Sequence, residues 1–457
     1  MRYSKAPRPT SDPADSTGSA LYRRVWRWHF YAGLICLPVI VLLAVTGGLY
    51  LFRFEIEDVV YGQLLHDRST ATTSLSASEL VRRAEQSQPG TAVSYTPPPT
   101  AKASALVTIE TGAGERRQVF VDSATGEVLG SVAEKYRLMP FLRSLHSLAF
   151  FGKTASYVVE IVAGWVIVLM VTGTYLWWPR GRSGGVVSIR TTPRQRTWWR
   201  DLHAVTGAFA GIVVLFLAVT GMPWSAFWGE RFNHAMTAAG LGVPAAFWNE
   251  VPQSDAALSS LGSVPWTVHQ HHVPLSSPTS REHVADIGID GAVARLAALG
   301  MTGGYQLNLP SGPRGVYSAV RLPDRVTGQR MVHLDRYSGR VLADIDYAHY
   351  GAVSKVTELG VSIHMGREFG IANQLVLLAG CVSLVALACS AVVMWWKRRP
   401  RGALAAPPRR DADRIGRTVV FIAAALGLFF PLLGASMLVA ALVDVSLPAA
   451  WRQRMAL

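Results

Sequence analysis

The chain has 457 residues, half of them hydrophobic and only 16% charged, with a mean hydropathy of +0.24 and a formal net charge of +14. At this length such a composition excludes a disordered tail and an ordinary soluble domain and indicates a membrane protein. The sequence pI near 10 invites a nucleic-acid reading, but the positions of the basic residues explain it through membrane topology, and no nucleic-acid partner is expected.

In chain order, a Ser/Pro/Arg-rich tail (1–28) precedes the first apolar stretch, which has no small-residue cleavage site and is expected to be a retained helix rather than a signal peptide. Crossing the hydrocarbon takes about 20 apolar residues, and five stretches qualify: 29–52, 155–178, 203–224, 371–396 and 418–443. The expected organisation is a first span at 29–53, a soluble module at 54–145, a second span at 146–178, a loop at 179–202 and a third span at 203–224. A soluble insertion and second module follow at 225–363, then a fourth span at 364–396, a loop at 397–417, a fifth span at 418–443 and a tail at 444–457.

The first module reads as a helix at Ser76–Gln86, a Pro-rich break at Pro97–Pro99, strands at Ala105–Glu110 and Arg116–Asp122, and a hairpin turn in Asp122–Gly130. The second repeats it, with a helix at Gly291–Gly300, strands at Val316–Pro323 and Gln329–Asp335, and a hairpin over Asp335–Ile345. Neither module contains a Ser/His/Asp arrangement or a phosphate-cradling glycine loop. The stretch from Trp224 to about Ser280 is extra material containing His269, His271 and His272. Alternating histidines suit a metal or an iron chelate, with a polar solvated loop as the plainer reading.

Segments 1–28, 179–202 and 397–417 together hold 20 Lys/Arg against 5 Asp/Glu. Basic short loops stay in the cytoplasm, so the N-terminus is expected inside, the two modules outside, and the C-terminus outside after a fifth crossing.

The most informative pattern is a duplication of histidines. His29 and His203 are each followed four residues later by a glycine (Gly33, Gly207), and an identical AVTG closes both segments at Ala44–Gly47 and Ala218–Gly221. His146 and His364 are each followed by a glycine after six residues (Gly152, Gly370) and by a Trp pair after 31 (Trp177-Trp178, Trp395-Trp396). A single histidine at a membrane edge reads as an interfacial anchor; two pairs kept in register through a duplication point to ligands. Topology puts His29 and His203 at the inner edge and His146 and His364 at the outer edge. Two facing helices of a bundle can supply two axial nitrogens to one iron, so the expectation is two b-type haems held by His29/His203 and His146/His364, with the outer pair as the exit for electrons.

Gly33 and Gly207 would let a flat macrocycle approach the backbone, or would serve helix–helix contact. Zinc fits less well, because no cysteine or paired carboxylate completes a tetrahedral site. The absence of CxxCH excludes covalent c-type attachment. Arg24, Arg27, Arg200, Arg143 and Arg367 are candidates for haem propionates, with positive-inside anchoring as the plainer reading of the first three. Glu160 would serve a proton path or an ion pair.

Taken together, Arg24–Leu34 (RVWRWHFYAGL), Leu145–Gly152 (LHSLAFFG), Thr172–Arg180 (TGTYLWWPR), Trp198–Gly207 (WWRDLHAVTG), Thr220–Gly229 (TGMPWSAFWG) and the paired Asp-x-x-Thr/Ser-Gly hairpins resemble the PepSY-associated transmembrane family, which includes inner-membrane siderophore-iron reductases of the ferrioxamine-reductase kind. The resemblance covers roughly residues 20–400 and weakens at Met394–Arg399, where the proline is missing. It implies a mainly α membrane protein of the bacterial inner membrane: a four-helix haem-binding bundle made by internal duplication, a fifth C-terminal helix outside the common core, and two periplasmic α+β PepSY-like modules.

It further implies reduction of a ferric siderophore at the periplasmic face, with electrons from an unknown cytoplasmic donor or quinol, since the chain has no Rossmann or flavin motif. Two other readings stay open. One is a quinol-linked diheme oxidoreductase with another acceptor; the other is a non-enzymatic binding or regulatory membrane protein. Neither the siderophore, the donor, the oligomeric state nor the role of the fifth helix follows from the sequence.

Overall fold

Among the described residues, four helices are long and apolar enough to cross a bilayer in the computed structural model: Ala20–Leu51, Lys153–Trp177, Arg196–Trp224 and Gly370–Arg398. At 1.5 Å per residue, even the 25 residues of the shortest exceed a hydrocarbon core of about 30 Å. The structure describes residues 13–69, 74–180, 184–244, 251–276, 285–399 and 417–446. Most of the loop expected at 397–417, the start of the tail at 1–28 and most of the tail at 444–457 lie outside them.

The helices are α1 (Pro13–Leu51), α2 (Arg53–Leu65), α3 (Ala77–Ser87), α4 (Leu138–His146), α5 (Lys153–Trp177), α6 (Arg196–Gly221), α7 (Trp228–Ala238), α8 (Gly288–Ala298), α9 (Ala352–His364), α10 (Gly370–Arg398), α11 (Arg417–Phe429) and α12 (Pro431–Ser446). The strands are β1 (Thr91–Thr96), β2 (Ala105–Glu110), β3 (Arg116–Val121), β4 (Val128–Ala133), β5 (Gln253–Ala257), β6 (His272–Pro274), β7 (Tyr305–Asn308), β8 (Val316–Arg321), β9 (Arg330–Asp335) and β10 (Val341–Asp346). They divide between two units.

The first unit, Met1–Val45, Phe151–Trp228 and Leu378–Leu457, is the helix bundle. Its core joins Cys36, Val162, Trp165, Leu169, Val214, Met222, Phe430 and Leu433, and Trp28 stacks on Trp165 with ring centres 6.3 Å apart. Small residues let the helices close: a Cβ on Gly164 would lie 3.1 Å from Leu433 Cβ, and one on Gly380 would lie 2.7 Å from Val213 Cγ1. Apolar residues also point away from the protein, with Ile212 82% and Phe209 71% exposed; on a soluble protein that would be costly, and against acyl chains it is not.

The fifth span expected at 418–443 is instead two short helices. α11 has 13 residues and α12 has 16, about 20 and 24 Å, each less than a bilayer core. The break is at Pro431, which lacks the N–H an uninterrupted helix would need. Gly427 and Gly434 then meet, each so close to the other's backbone that a Cβ on either would overlap it, which folds α12 back on α11. The turn of this hairpin sits at Trp228, whose Nε1 donates to Phe429 O at 2.8 Å, while α12 returns along α5 through Gly164–Leu433 and a Trp165 Nε1 bond to Ser436 Oγ at 3.0 Å. The ends of the hairpin therefore face the same way. A reporter fused after Ser446 is expected on the same membrane face as one fused after Arg190. Opposite faces would show that α12 continues across.

The second unit, Thr46–Phe150 and Gly229–Leu377, contains an eight-stranded antiparallel sheet in the order β10-β9-β8-β7-β1-β2-β3-β4. It is two four-stranded meanders joined where β1 pairs with β7 (Ser94 opposite Asn308, Tyr95 opposite Leu307). Each meander carries one helix. α3 buries Leu80 and Ala84 against Val107, Ile109 and Val119, and α8 buries Ala292 and Leu296 against Leu307, Val332 and Leu334.

The hairpin turns are built alike. The Asp122 carboxylate accepts from the N–H of Ala124 and Thr125, and Asp335 from Tyr337 and Ser338. The glycine that follows takes a left-handed conformation in both, Gly126 at φ +74° and Gly339 at φ +65°.

Candidate functional site: two duplicated histidine pairs

His29 on α1 and His203 on α6 come together within the bundle. Their ring centres are 6.4 Å apart and the ring planes are perpendicular, at 89°. Two imidazoles holding one iron from opposite sides, each by a bond of about 2 Å, place their ring centres roughly 6 Å apart. That distance alone also suits an edge-on ring pair. The hydrogen bonds add which ring nitrogen is left open.

His29 Nδ1 lies 2.9 Å from Thr172 Oγ1 on α5. That hydroxyl spends its own proton on the α5 carbonyl of Val168 at 2.7 Å, so toward His29 it accepts. His203 Nδ1 lies 3.1 Å from Leu387 O, which only accepts, and 3.0 Å from Ser390 Oγ, which donates to Leu387 O at 2.9 Å. Both imidazoles are therefore protonated on Nδ1 and carry their lone pair on Nε2. This is the tautomer of a metal-ligating histidine whose far nitrogen is held by a neighbour. The donor set and the spacing fit a bis-histidine haem.

His146 and His364 are both in the second unit, and the sequence expectation that each begins a continuous span needs correction. His146 is the last residue of α4 and His364 the last of α9; the spans start afterwards, at Lys153 and Gly370. The reason is a backbone device that the duplication repeats. Two residues after each histidine the chain is left-handed, at Leu148 (φ +54°) and Gly366 (φ +72°). Six residues after, it is left-handed again, at Gly152 (φ +99°) and Gly370 (φ +60°). Leucine in that conformation costs about 1–2 kcal/mol, and here it is retained. The histidines thus sit at helix ends ahead of a turn.

α4 is fixed by Arg137, which pairs with Glu57 of α2 at 2.9 Å and donates to Gln118 of β3 at 2.7 Å. α9 is fixed by Glu358, which is 2% exposed and accepts from the N–H and hydroxyl of Thr267, both at 2.9 Å; burial holds its carboxyl above the usual range. His146 Nδ1 lies 3.0 Å from Thr46 Oγ1, and a Cβ on Gly47 would lie 3.1 Å from His146 Cε1.

The other candidates fall as follows. A Cβ on Gly33 would lie 3.9 Å from Leu169 Cδ2, and one on Gly207 would lie 3.6 Å from Leu387 Cδ2, ordinary contact distances at equivalent places in the repeat. Arg200 is committed to the fully buried Asp201 at 2.6 Å, together with Arg190 at 2.8 Å, which makes it a poor propionate partner. Arg367 is half-buried, and desolvation lowers its guanidinium pKa.

Among the described residues Glu160 pairs with neither Lys nor Arg. Its Oε2 accepts from the N–H of Phe227 and Trp228 at 3.1 and 3.0 Å, at the start of α7. In the loop with alternating histidines, His269 Nε2 turns to the carbonyl of Val264 at 3.1 Å, and burial, then the charge of His272, lowers the His271 pKa to about 4. Among the described residues no group of three or more His, Cys, Asp or Glu side chains is arranged to hold a metal ion.

Sequence reasoning missed Thr172, Ser390 and Thr46. The signal was present, because a hydroxyl followed by a small residue recurs at Thr46-Gly47, Thr172-Gly173, Thr220-Gly221 and Ser390-Ala391. A comparison with curated proteins returns no match. The family described as the PepSY-associated TM region, by contrast, matches residues 26–398 and so takes in all four histidines, both meanders and the four long spans. The chain belongs to the PepSY-associated TM family.

Proposed function

We propose that this protein carries electrons across a bacterial inner membrane through two b-type haems and delivers them to a ferric siderophore at the periplasmic face. The observation that carries the reading is the His29–His203 pair, 6.4 Å apart, with the Nδ1 of each ring set against an accepting oxygen. His29 and His203 would hold the inner haem, and His146 and His364 the outer one. When bound, each haem supplies a one-electron Fe(III)/Fe(II) couple.

The chain does the rest. α1, α5, α6 and α10 keep the inner pair in an apolar surround. The turns after His146 and His364 end their helices ahead of the spans. The two meanders, read as PepSY modules, would dock the substrate on the outer side of the membrane. Reduction of the chelated iron needs one electron and no proton, and siderophores hold Fe(II) far less tightly than Fe(III). The excess of basic residues in 1–28, 179–202 and 397–417 supports this orientation.

The test is anaerobic reoxidation of purified protein. About two haems per chain are expected. After dithionite reduction, a ferric siderophore should reoxidise the protein with a ferrous chelator trapping one Fe(II) per oxidised haem. A reduced protein that ignores every ferric chelate but is oxidised by another acceptor would leave the electron-transfer reading and remove the reductase. A colourless protein that takes up no haem would favour the binding or regulatory role.

A further inference from the structure

We infer that Thr172, Ser390 and Thr46 are positioning residues that set the tautomer and the donor strength of the haem-ligating histidines, and that the Thr46-Gly47 and Thr172-Gly173 pairs serve this purpose. The inference rests on the haem reading above. In three places a hydroxyl on a membrane helix meets Nδ1 of a histidine brought by another element: Thr172 with His29 at 2.9 Å, Ser390 with His203 at 3.0 Å and Thr46 with His146 at 3.0 Å.

Position and chemistry agree. Thr172 donates to the carbonyl of Val168, four residues back, and Ser390 to that of Leu387, three residues back. A hydroxyl committed in this way can only accept from the imidazole, which forces the proton onto Nδ1 and leaves Nε2 for iron. Thr220, in the second AVTG, makes the same bond to Phe216 O at 2.6 Å.

The residue after the hydroxyl has its own reason to be small. A Cβ on Gly173 would lie 3.2 Å from His29 Cε1, and one on Gly47 would lie 3.1 Å from His146 Cε1. Each ring edge therefore rests on the backbone beside the hydroxyl that holds it. The second half departs from the pattern at Ser390-Ala391, where the carbonyl of Leu387 joins Ser390 in accepting from His203. An accepted Nδ1–H bond raises the basicity of the ligand and favours ferric over ferrous iron. Loss of the hydroxyl should then move the midpoint potential of that haem upward.

The experiment compares Thr172→Val, Thr172→Ser and Ser390→Ala with the unaltered haem-loaded protein by spectroelectrochemical titration and low-temperature EPR. Thr172→Val should shift one potential to more positive values and change one low-spin signal while the other haem stays as it was; Ser390→Ala should do so by less, because Leu387 O still accepts from His203. Thr172→Ser should restore both. Thr46→Val should shift the opposite haem.

If a variant loads only one haem, recovery of the second in Thr172→Ser supports the inference, and failure to recover overturns it. Fully loaded variants with unchanged potentials and spectra also overturn it while the haem reading stands. An unaltered protein that carries no haem fails at the earlier step and is recognised before any variant is made.

Discussion

Replacing His29 or His203 by alanine is expected to remove one haem of the two and spare the other. If the two rings hold one haem, as proposed, they would act as one site, 6.4 Å apart and each held by a hydroxyl on a neighbouring helix, and either loss would leave that haem one ligand short. A b-type haem has no covalent tether, and its retention depends on ligation and packing together. The pyridine haemochrome value should fall from about two per chain to about one. The remaining haem should keep its potential, because His146 is held by Thr46 and by α4, whose anchors Glu57 and Gln118 do not depend on the bundle pair. Monodispersity and the surviving haem together report that the variant is folded. Full haem content in both variants would return the pair to an ordinary contact of edge histidines.

What could be read in the sequence was what is local. Ala105–Glu110 was expected as a strand and is β2 residue for residue. The Asp-x-x-Thr/Ser-Gly turns form as expected because an Asp side chain and a left-handed glycine specify them within five residues. The long spans followed from composition alone. The strands β1 and β7, which fuse the two modules into one sheet, were missed. Each is short, and their pairing joins Tyr95 to Leu307 across more than two hundred positions, a relation no local pattern encodes.

Apolar composition also concealed the α11–α12 hairpin. Residues 418–443 are hydrophobic enough to cross, and only Pro431 with the Gly427–Gly434 contact turns them back. At the histidines, the duplication located the residues and the glycines six positions later. It did not show that those glycines end one helix and begin another. Nor did it show that the AVTG repeat has a chemical use, because a hydroxyl contact between helices becomes visible only when the helices are packed.

The strongest functional effect is expected at the outer pair. In the reoxidation assay, His146→Ala or His364→Ala should reduce electron delivery to a ferric siderophore by orders of magnitude while the inner haem still accepts electrons from dithionite. The two histidines occupy the same place in their halves: each closes a helix, each is followed by left-handed residues two and six positions on, and each leads into a span through that turn. On the proposed reading such a duplication would give the outer site two equivalent ligands, and removing either should remove the site.

The inner haem would then remain reduced for want of an exit, which distinguishes this result from a protein that has simply failed to fold. Rapid reoxidation by the siderophore after loss of the outer haem would mean that the chelate draws electrons directly from the bundle pair, and the proposed order of the two sites would be wrong. The triple change of His269, His271 and His272 provides a control in the same assay. His269 is turned to Val264 and, among the described residues, no metal-holding group is arranged there, so reoxidation rates close to those of the unaltered protein are expected. A large loss there would identify this loop, rather than the meanders, as the surface that holds the ferric chelate.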